Sequence, residues 1–201
     1  MTVVAAVAHE GVVWLAGDRR TTSDAGPLTT LGHPKLATIY AESGERVVVG
    51  TAGAYAGICA VQTAPYAPNA KHPAGMRDPQ LDWMYLQRYF SPWLATLLGP
   101  YAKDCSHLIA FRGRLWDASG GGCSVEPVPE GEARAIGSGA AYALGSLTET
   151  EDLPPNLRLE RAVAAAIRFD PCCGGPCDVV EVAAARGDAT RRLRRDRRKA
   201  A

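Results

Sequence analysis

No stretch of this sequence approaches the ~20 consecutive apolar residues that a membrane-spanning helix needs. The N-terminus lacks a basic region followed by a long apolar segment, so it does not read as a secretory signal. The expected location is the cytoplasm. An excess of one charge is missing too: 22 Lys and Arg stand against 21 Asp and Glu, so the chain as a whole has no pull toward nucleic acid. Metal-ligand patterns are sparse. Cys172, Cys173 and Cys177 have no second cluster at zinc-ligand spacing, and His33, His72 and His107 fall into no ligand or base pattern. No cofactor is expected. The glycine tract from Ser119 to Cys123 lacks the Lys-Ser/Thr ending of a phosphate loop and follows a strand, so it reads as a turn. Six cysteines in 201 residues demand no disulfide framework, and reduced thiols are expected.

What is present begins at the N-terminus. Val3 to Ala8 and Val12 to Ala16 are β-forming runs on either side of the turn His9-Glu10-Gly11, and the second ends at Gly17-Asp18. This is a β-hairpin pattern. Apolar residues at nearly every position predict strands covered on both faces, hence a central place in a core. Thr2 follows the initiator Met, whose removal is the expected processing before a small residue. Thr2 would then carry a hydroxyl and a free α-amine together, a recognised route to a nucleophile that supplies its own base.

Further along, residues 19–27 are polar and turn-rich, and Lys35 follows Pro34. Arg46 to Gly50 reads as a buried strand ending at Thr51-Ala52-Gly53, followed by a helix from Tyr55 to about Thr63. Four prolines between 64 and 80 exclude a continuous helix there, so the segment reads as an insertion or long loop. Leu81 to Leu98 reads as a helix bearing Trp83, Tyr85, Tyr89, Phe90 and Trp93, bent or divided at Pro92; such a stripe is core or subunit interface. A second hairpin covers His107 to Ala118. Glu126 to Glu132 reads as a connection, Ala135 to Gly139 as a strand end running into a helix from Ala140, and Leu157 to Phe169 as another helix. A tight loop from Asp170 to Cys177 precedes a last strand, 178–184.

Helices grouped between runs of strands predict an α+β fold of antiparallel sheets with helices packed outside, a four-layer αββα sandwich. Residues 1–190 read as a single domain. The tail from Arg191 to Ala201 has too much like charge to fold alone, so it should be disordered or dock on an acidic partner, with nucleic acid the lesser reading.

Five features then stand in order: Thr2, Gly17-Asp18, Lys35, Thr51-Ala52-Gly53 and Gly137-Ser138-Gly139, followed by Asp170-x-x-Cys173-Gly-Gly. Together they resemble the proteasome β-subunit family, its HslV-type peptidases in particular, which are N-terminal nucleophile hydrolases. The resemblance implies that Thr2 is the nucleophile, that Asp18 and Lys35 are its charged neighbours, and that Ser138 lies beside the terminal amine. It implies Gly53 as the oxyanion donor, Thr22 as a backbone partner of bound peptide, Asp170 as the family's late aspartate, and Tyr55 at the specificity pocket. It also implies a homo-oligomeric ring acting on peptide or unfolded protein, with an AAA+ ATPase unfoldase as candidate partner.

The sequence departs from the family at Cys173, where a serine is common, in a loop before Lys35 about one residue longer, and in the proline-rich segment. Two other readings keep their place: an N-terminal nucleophile amidase acting on a small amide, and a non-catalytic ring subunit or adaptor.

Overall fold

The computed structural model describes residues 2–23, 26–29, 34–70, 78–119 and 124–183. The N-terminal hairpin forms as the pattern predicts, with β1 (Val4–His9) and β2 (Val12–Gly17) antiparallel and Val4 opposite Gly17. The two turn residues, Glu10 and Gly11, have φ of 52° and 74°, the left-handed pair whose twist matches that of the flanking strands. Alternation along the first strand sets the layers. Val3, Ala5 and Val7 face one way into a helical layer, whereas Val4, Ala6 and Ala8 face a second sheet.

The first sheet has the order β10-β1-β2-β11, with β10 at Ala133–Ile136 and β11 at Asp178–Ala183. Its outer face carries α4 (Ala140–Glu149) and α5 (Pro155–Phe169), which bury Ala143, Leu147, Leu159, Ala162, Val163 and Ala166 against it. The second sheet has the order β5-β6-β7-β8-β9: β5 Leu36–Tyr40, β6 Arg46–Gly53, β7 Cys105–Phe111, β8 Arg114–Ser119 and β9 Ser124–Pro127. Its outer face is covered by α1 (Tyr55–Gln62) and by a helical rod of α2 (Pro79–Tyr85), a wider turn at Leu86–Phe90, and α3 (Ser91–Leu98). Leu15, Val48, Leu108, Ala110 and Leu115 fill the space between the sheets. The result is the αββα sandwich expected from the sequence.

The boundaries differ where local chemistry overrides the pattern. The aromatic helix starts at Pro79 rather than Leu81, because Asp78 caps it by accepting from the Gln80 amide at 2.9 Å and proline suits the first helical position. At Pro92 the rod is not divided, and helix continues on both sides of it. Proline offers no N–H, and the turn before it widens so that the Ser91 N–H reaches back five residues to the Leu86 carbonyl. Tyr85, Leu86 and Phe90 of that rod are core, while Tyr89 stays exposed. Overlapping the start of the stretch read as a connection, Ser124 to Pro127 forms the edge strand β9; proline is tolerated at its end because one flank is unpaired. The turn-rich stretch after Arg20 contains a short hairpin of β3 (Thr21–Ser23) and β4 (Gly26–Thr29). The glycine tract's residues 120–123, His33, His72 and the basic tail lie outside the described residues.

At Gly50 of β6 the two sheets leave no room for a side chain. A Cβ there would sit 2.5 Å from Cγ1 of Val4 in the facing strand. Gly50→Ala should therefore destabilise the protein by about 1–3 kcal/mol through overpacking. Gly145→Ala is the contrasting case: it lies inside α4 with nothing within 4 Å, and should gain up to about 1 kcal/mol. Denaturant unfolding of the two variants checks both signs.

Candidate active site

Antiparallel pairing brings the starts of β1, β5, β7 and β11 and the ends of β2, β6 and β10 to the same end of the sandwich. The pairings Val4–Gly17, Gly17–Asp178, Val4–Ile136 and Gly53–Cys105 mark it. Thr2, Asp18, Lys35, Gly53 and Ser138 each lie just inside or just outside one of these strand ends, so residues far apart in sequence converge there.

Asp18 is fully buried and both of its carboxylate oxygens are occupied. Oδ1 accepts from the Thr2 hydroxyl and from the Val3 N–H at 3.1 Å; Oδ2 accepts from the Gly174 N–H at 2.9 Å and the Arg20 N–H at 3.2 Å. A buried carboxylate needs such donors to keep its charge. Here they come from the N-terminal strand, its own loop and the loop before β11. Lys35 is also buried, at 2% exposure, and its backbone lies close under β2: a Cβ on Gly17 would be 3.2 Å from that of Lys35. Burial lowers the Lys35 pKa below the ordinary lysine value, with the opposing charge of Asp18 and the thiols of Cys59 and Cys173 limiting the fall. Asp18 thus acts on Lys35 through charge, while its hydrogen bonds go elsewhere.

The main chain of Thr2 is held separately. Its carbonyl accepts from the Gly139 N–H at 3.3 Å and from the Ser138 hydroxyl at 3.5 Å. Gly137, at φ 94°, makes this approach possible, because a Cβ there would sit 2.1 Å from the Thr2 carbonyl oxygen. The same position lies 3.3 Å from the Ala52 Cβ, which puts the end of β6 alongside. Gly53 follows Ala52 at φ 130°, packed so that a Cβ would meet the Asp104 carbonyl at 1.9 Å. Its glycine is thus set by backbone conformation and by packing.

Asp170 is the sixth member. Burial pushes its carboxyl up, but hydrogen bonds from Ser138, the Cys172 amide and the Cys173 and Cys172 thiols outweigh this and hold it below the usual range. The Cys172 N–H bond measures 2.8 Å and the Cys173 Sγ contact 3.4 Å. Desolvation first, then the charges of Asp18 and Asp170, push the Cys173 thiol well up, so it remains a neutral donor where a serine hydroxyl would also donate. Two of the expected site residues stand further out. Thr22 lies on β3, opposite Pro27. Tyr55 opens α1 with 41% of its surface exposed, bonded to Cys59 one turn on, so it faces solvent.

Several residues here carry no sequence signal of their own. Arg20 lays its guanidinium against Gly174 and donates to the Pro171 carbonyl at 2.7 Å, and Arg19 forks onto Asp178 at 2.6 and 2.8 Å. Both fix the loop that supplies Asp170. His107, for which no partner pattern was evident, pairs across the sheet with Thr51: Nδ1 is 3.1 Å from the threonine hydroxyl. Thr51 in turn donates its N–H to the Lys35 carbonyl at 2.9 Å.

No family model and no curated protein sequence matches the chain. Solved structures do. The BPH of Thiobacillus denitrificans, in a complex with epoxomicin, aligns over 92% of this chain and 100% of its own at 17% identity and a TM-score of 0.69. A second structure of that BPH gives 16% and 0.66 over the same shares. The eukaryotic HslV of Trypanosoma brucei aligns over 90% of this chain and 98% of its own, at 21% identity and a TM-score of 0.63. The fold is therefore that of the HslV and BPH structures, the proteasome-like sandwich that the order of motifs resembles.

Burial pushes the His107 pKa down to about 4. Its unfolded value is near ~6.5, so between those pH values the unfolded chain binds more protons and stability rises with pH. The neutral imidazole should contribute on the order of 3 kcal/mol at most, present above pH ~6.5 and lost as pH falls toward 4. Denaturant unfolding across that range should show the slope, and His107→Asn should flatten it.

Proposed function

We propose that this protein is a threonine-type peptidase subunit that hydrolyses peptide bonds through an acyl-enzyme on Thr2 after Met1 is removed. The observation that carries this reading is the buried Thr2 hydroxyl, bonded to Asp18 beside the buried Lys35. Freed of Met1, the Thr2 α-amine has a reference pKa of ~7.7–8.0 and can take the hydroxyl proton at neutral pH. A nearby lysine ammonium disfavours the protonated amine and stabilises the developing alkoxide. Asp18, with both oxygens already occupied, orients the hydroxyl and balances the lysine charge.

In this mechanism Oγ1 of Thr2 adds to the scissile carbonyl, whose oxygen gains negative charge and turns toward the Gly53 N–H. The amine then passes its proton to the leaving nitrogen, and the C–N bond breaks to leave an ester on Thr2. Water, deprotonated by the same amine, releases the acyl group and restores the hydroxyl. Ser138 and Asp170 keep the terminal residue in register. Thr22, on the hairpin leaving the site, is suited to pair with an extended peptide, and Tyr55 flanks the entrance at the start of α1.

A homo-oligomeric ring belongs to the same reading. Tyr142, Leu144, Leu157 and Phe169 are exposed on α4 and α5, with the Tyr142 and Phe169 rings 5.7 Å apart, and such apolar surface is suited to a subunit contact. An AAA+ ATPase partner rests on the likeness of fold alone.

Thr2→Ala should abolish hydrolysis of labelled peptides, and Lys35→Ala should lower it nearly as far, while Thr2→Ser retains part of it. Intact mass before and after epoxomicin reports Met1 removal and adduct formation together, and the adduct should be absent from Thr2→Ala. Peptidase activity persisting in Thr2→Ala would overturn the mechanism, and turnover of small amides alone would favour an amidase. Light scattering at micromolar concentration should give a ring-sized assembly; a monodisperse monomer would refute the ring.

A further inference from the structure

Lys35 precedes β5, the edge strand of the second sheet, and its carbonyl points inward to the Thr51 N–H. Carbonyls alternate in direction along a strand, so those of Pro34 and Leu36 would point off the open edge. Both instead meet one atom: Gln62 Nε2, at the end of α1, donates to the Pro34 carbonyl at 2.6 Å and to the Leu36 carbonyl at 3.0 Å. Extended chain advances about 6.6 Å over two residues, further than two such bonds from one nitrogen can span. The chain is accordingly bent at Lys35, around the Gln62 amide.

We infer that Gln62 is a positioning residue for Lys35, clamping the bend that sends the lysine side chain into the site. The catalytic part of this inference rests on the threonine peptidase reading; the clamp itself does not. The bend is fixed from two sides, by Thr51 through the inner carbonyl and by Gln62 through the outer two. The lysine feels the charge of Asp18 at the end of β2 most strongly, with smaller effects from Cys59 on α1 and Cys173 in the loop before β11. Without the glutamine donor, the two outer carbonyls would turn to water. The segment would relax toward an extended strand and swing the ammonium away from Asp18 and from the Thr2 amine. Because α1 also begins just after Gly53, Gln62 ties the placement of the lysine to that of the proposed oxyanion donor.

Gln62→Met keeps the side-chain length and removes the donor; Gln62→Asn keeps the amide and shortens its reach. The chain has four lysines, Lys35, Lys71, Lys103 and Lys199, so lysine labelled with 13C at Cε yields a spectrum simple enough to assign with Lys35→Arg. In wild type the Lys35 signal should titrate below the ordinary lysine value. In both Gln62 variants it should move back toward that value, with the melting temperature little changed. With peptide substrate, both variants should lose between about tenfold and a hundredfold in kcat with a smaller change in KM. The acid limb of the pH–rate profile should also move to higher pH, because an amine further from the lysine charge holds its proton more tightly. An unchanged Lys35 titration in folded Gln62→Met and Gln62→Asn would overturn the clamp whatever the activity. A moved titration with an unmoved pH profile would overturn its link to catalysis. A moved titration in a protein without Thr2-dependent hydrolysis would leave the clamp standing and remove the peptidase reading instead.

Discussion

The Asp18 carboxylate is the constraint on which the site depends. A buried negative charge is tolerable when its lone pairs are filled, and here the four donors come from three separate pieces of chain. The N-terminal residues, the turn after β2 and the loop before β11 all have to arrive together for the ion to be satisfied. Losing any one donor leaves the charge under-solvated in the interior, so the cost of misplacing one segment is felt by the others. Arg19 on Asp178 and Arg20 on the Pro171 carbonyl reinforce the same junction from outside.

Lys35 complements this from the second sheet. Desolvation weakens its hold on a proton while the Asp18 charge strengthens it, and the two effects oppose each other at one nitrogen. A lysine in that balance is sensitive to small displacements. The backbone around it is accordingly held on both flanks, through Thr51 and its His107 partner on one and through Gln62 on the other.

Much of the architecture was legible because it follows from periodicity and turn chemistry. The runs around Glu10-Gly11 and Arg112-Gly113 gave both hairpins, and the near-continuous apolar character of Val3 to Ala8 correctly signalled a strand covered on both faces. Edge elements were harder to read. Ser124 to Pro127, Thr21 to Ser23 and Gly26 to Thr29 are short, and they become strands by pairing with neighbours rather than by their own pattern. At the site, the glycines and Asp18 stood out because they sit at strand ends with recognisable spacing. Gln62, His107 and Arg20 did not, since each acts on a main-chain group or a partner distant in sequence. The buried pairing of Arg112 with Asp82 and Glu45, which ties the β7–β8 turn to α2 and the β5–β6 turn, escaped for the same reason.

The way residue 2 is anchored has a consequence for how the fold can evolve. Most of its fixings are main-chain: the Thr2 carbonyl is held by Gly139 and Ser138 in the space left by Gly137, and the following N–H is held by Asp18. None of these contacts asks what side chain stands there. The backbone of residue 2 could therefore stay in place whatever side chain it carries, while the buried Asp18 carboxylate presses separately for a hydrogen-bond donor on that side chain. Placement of the chain at residue 2 and choice of its side chain are thus governed by different contacts, and a change in one need not disturb the other.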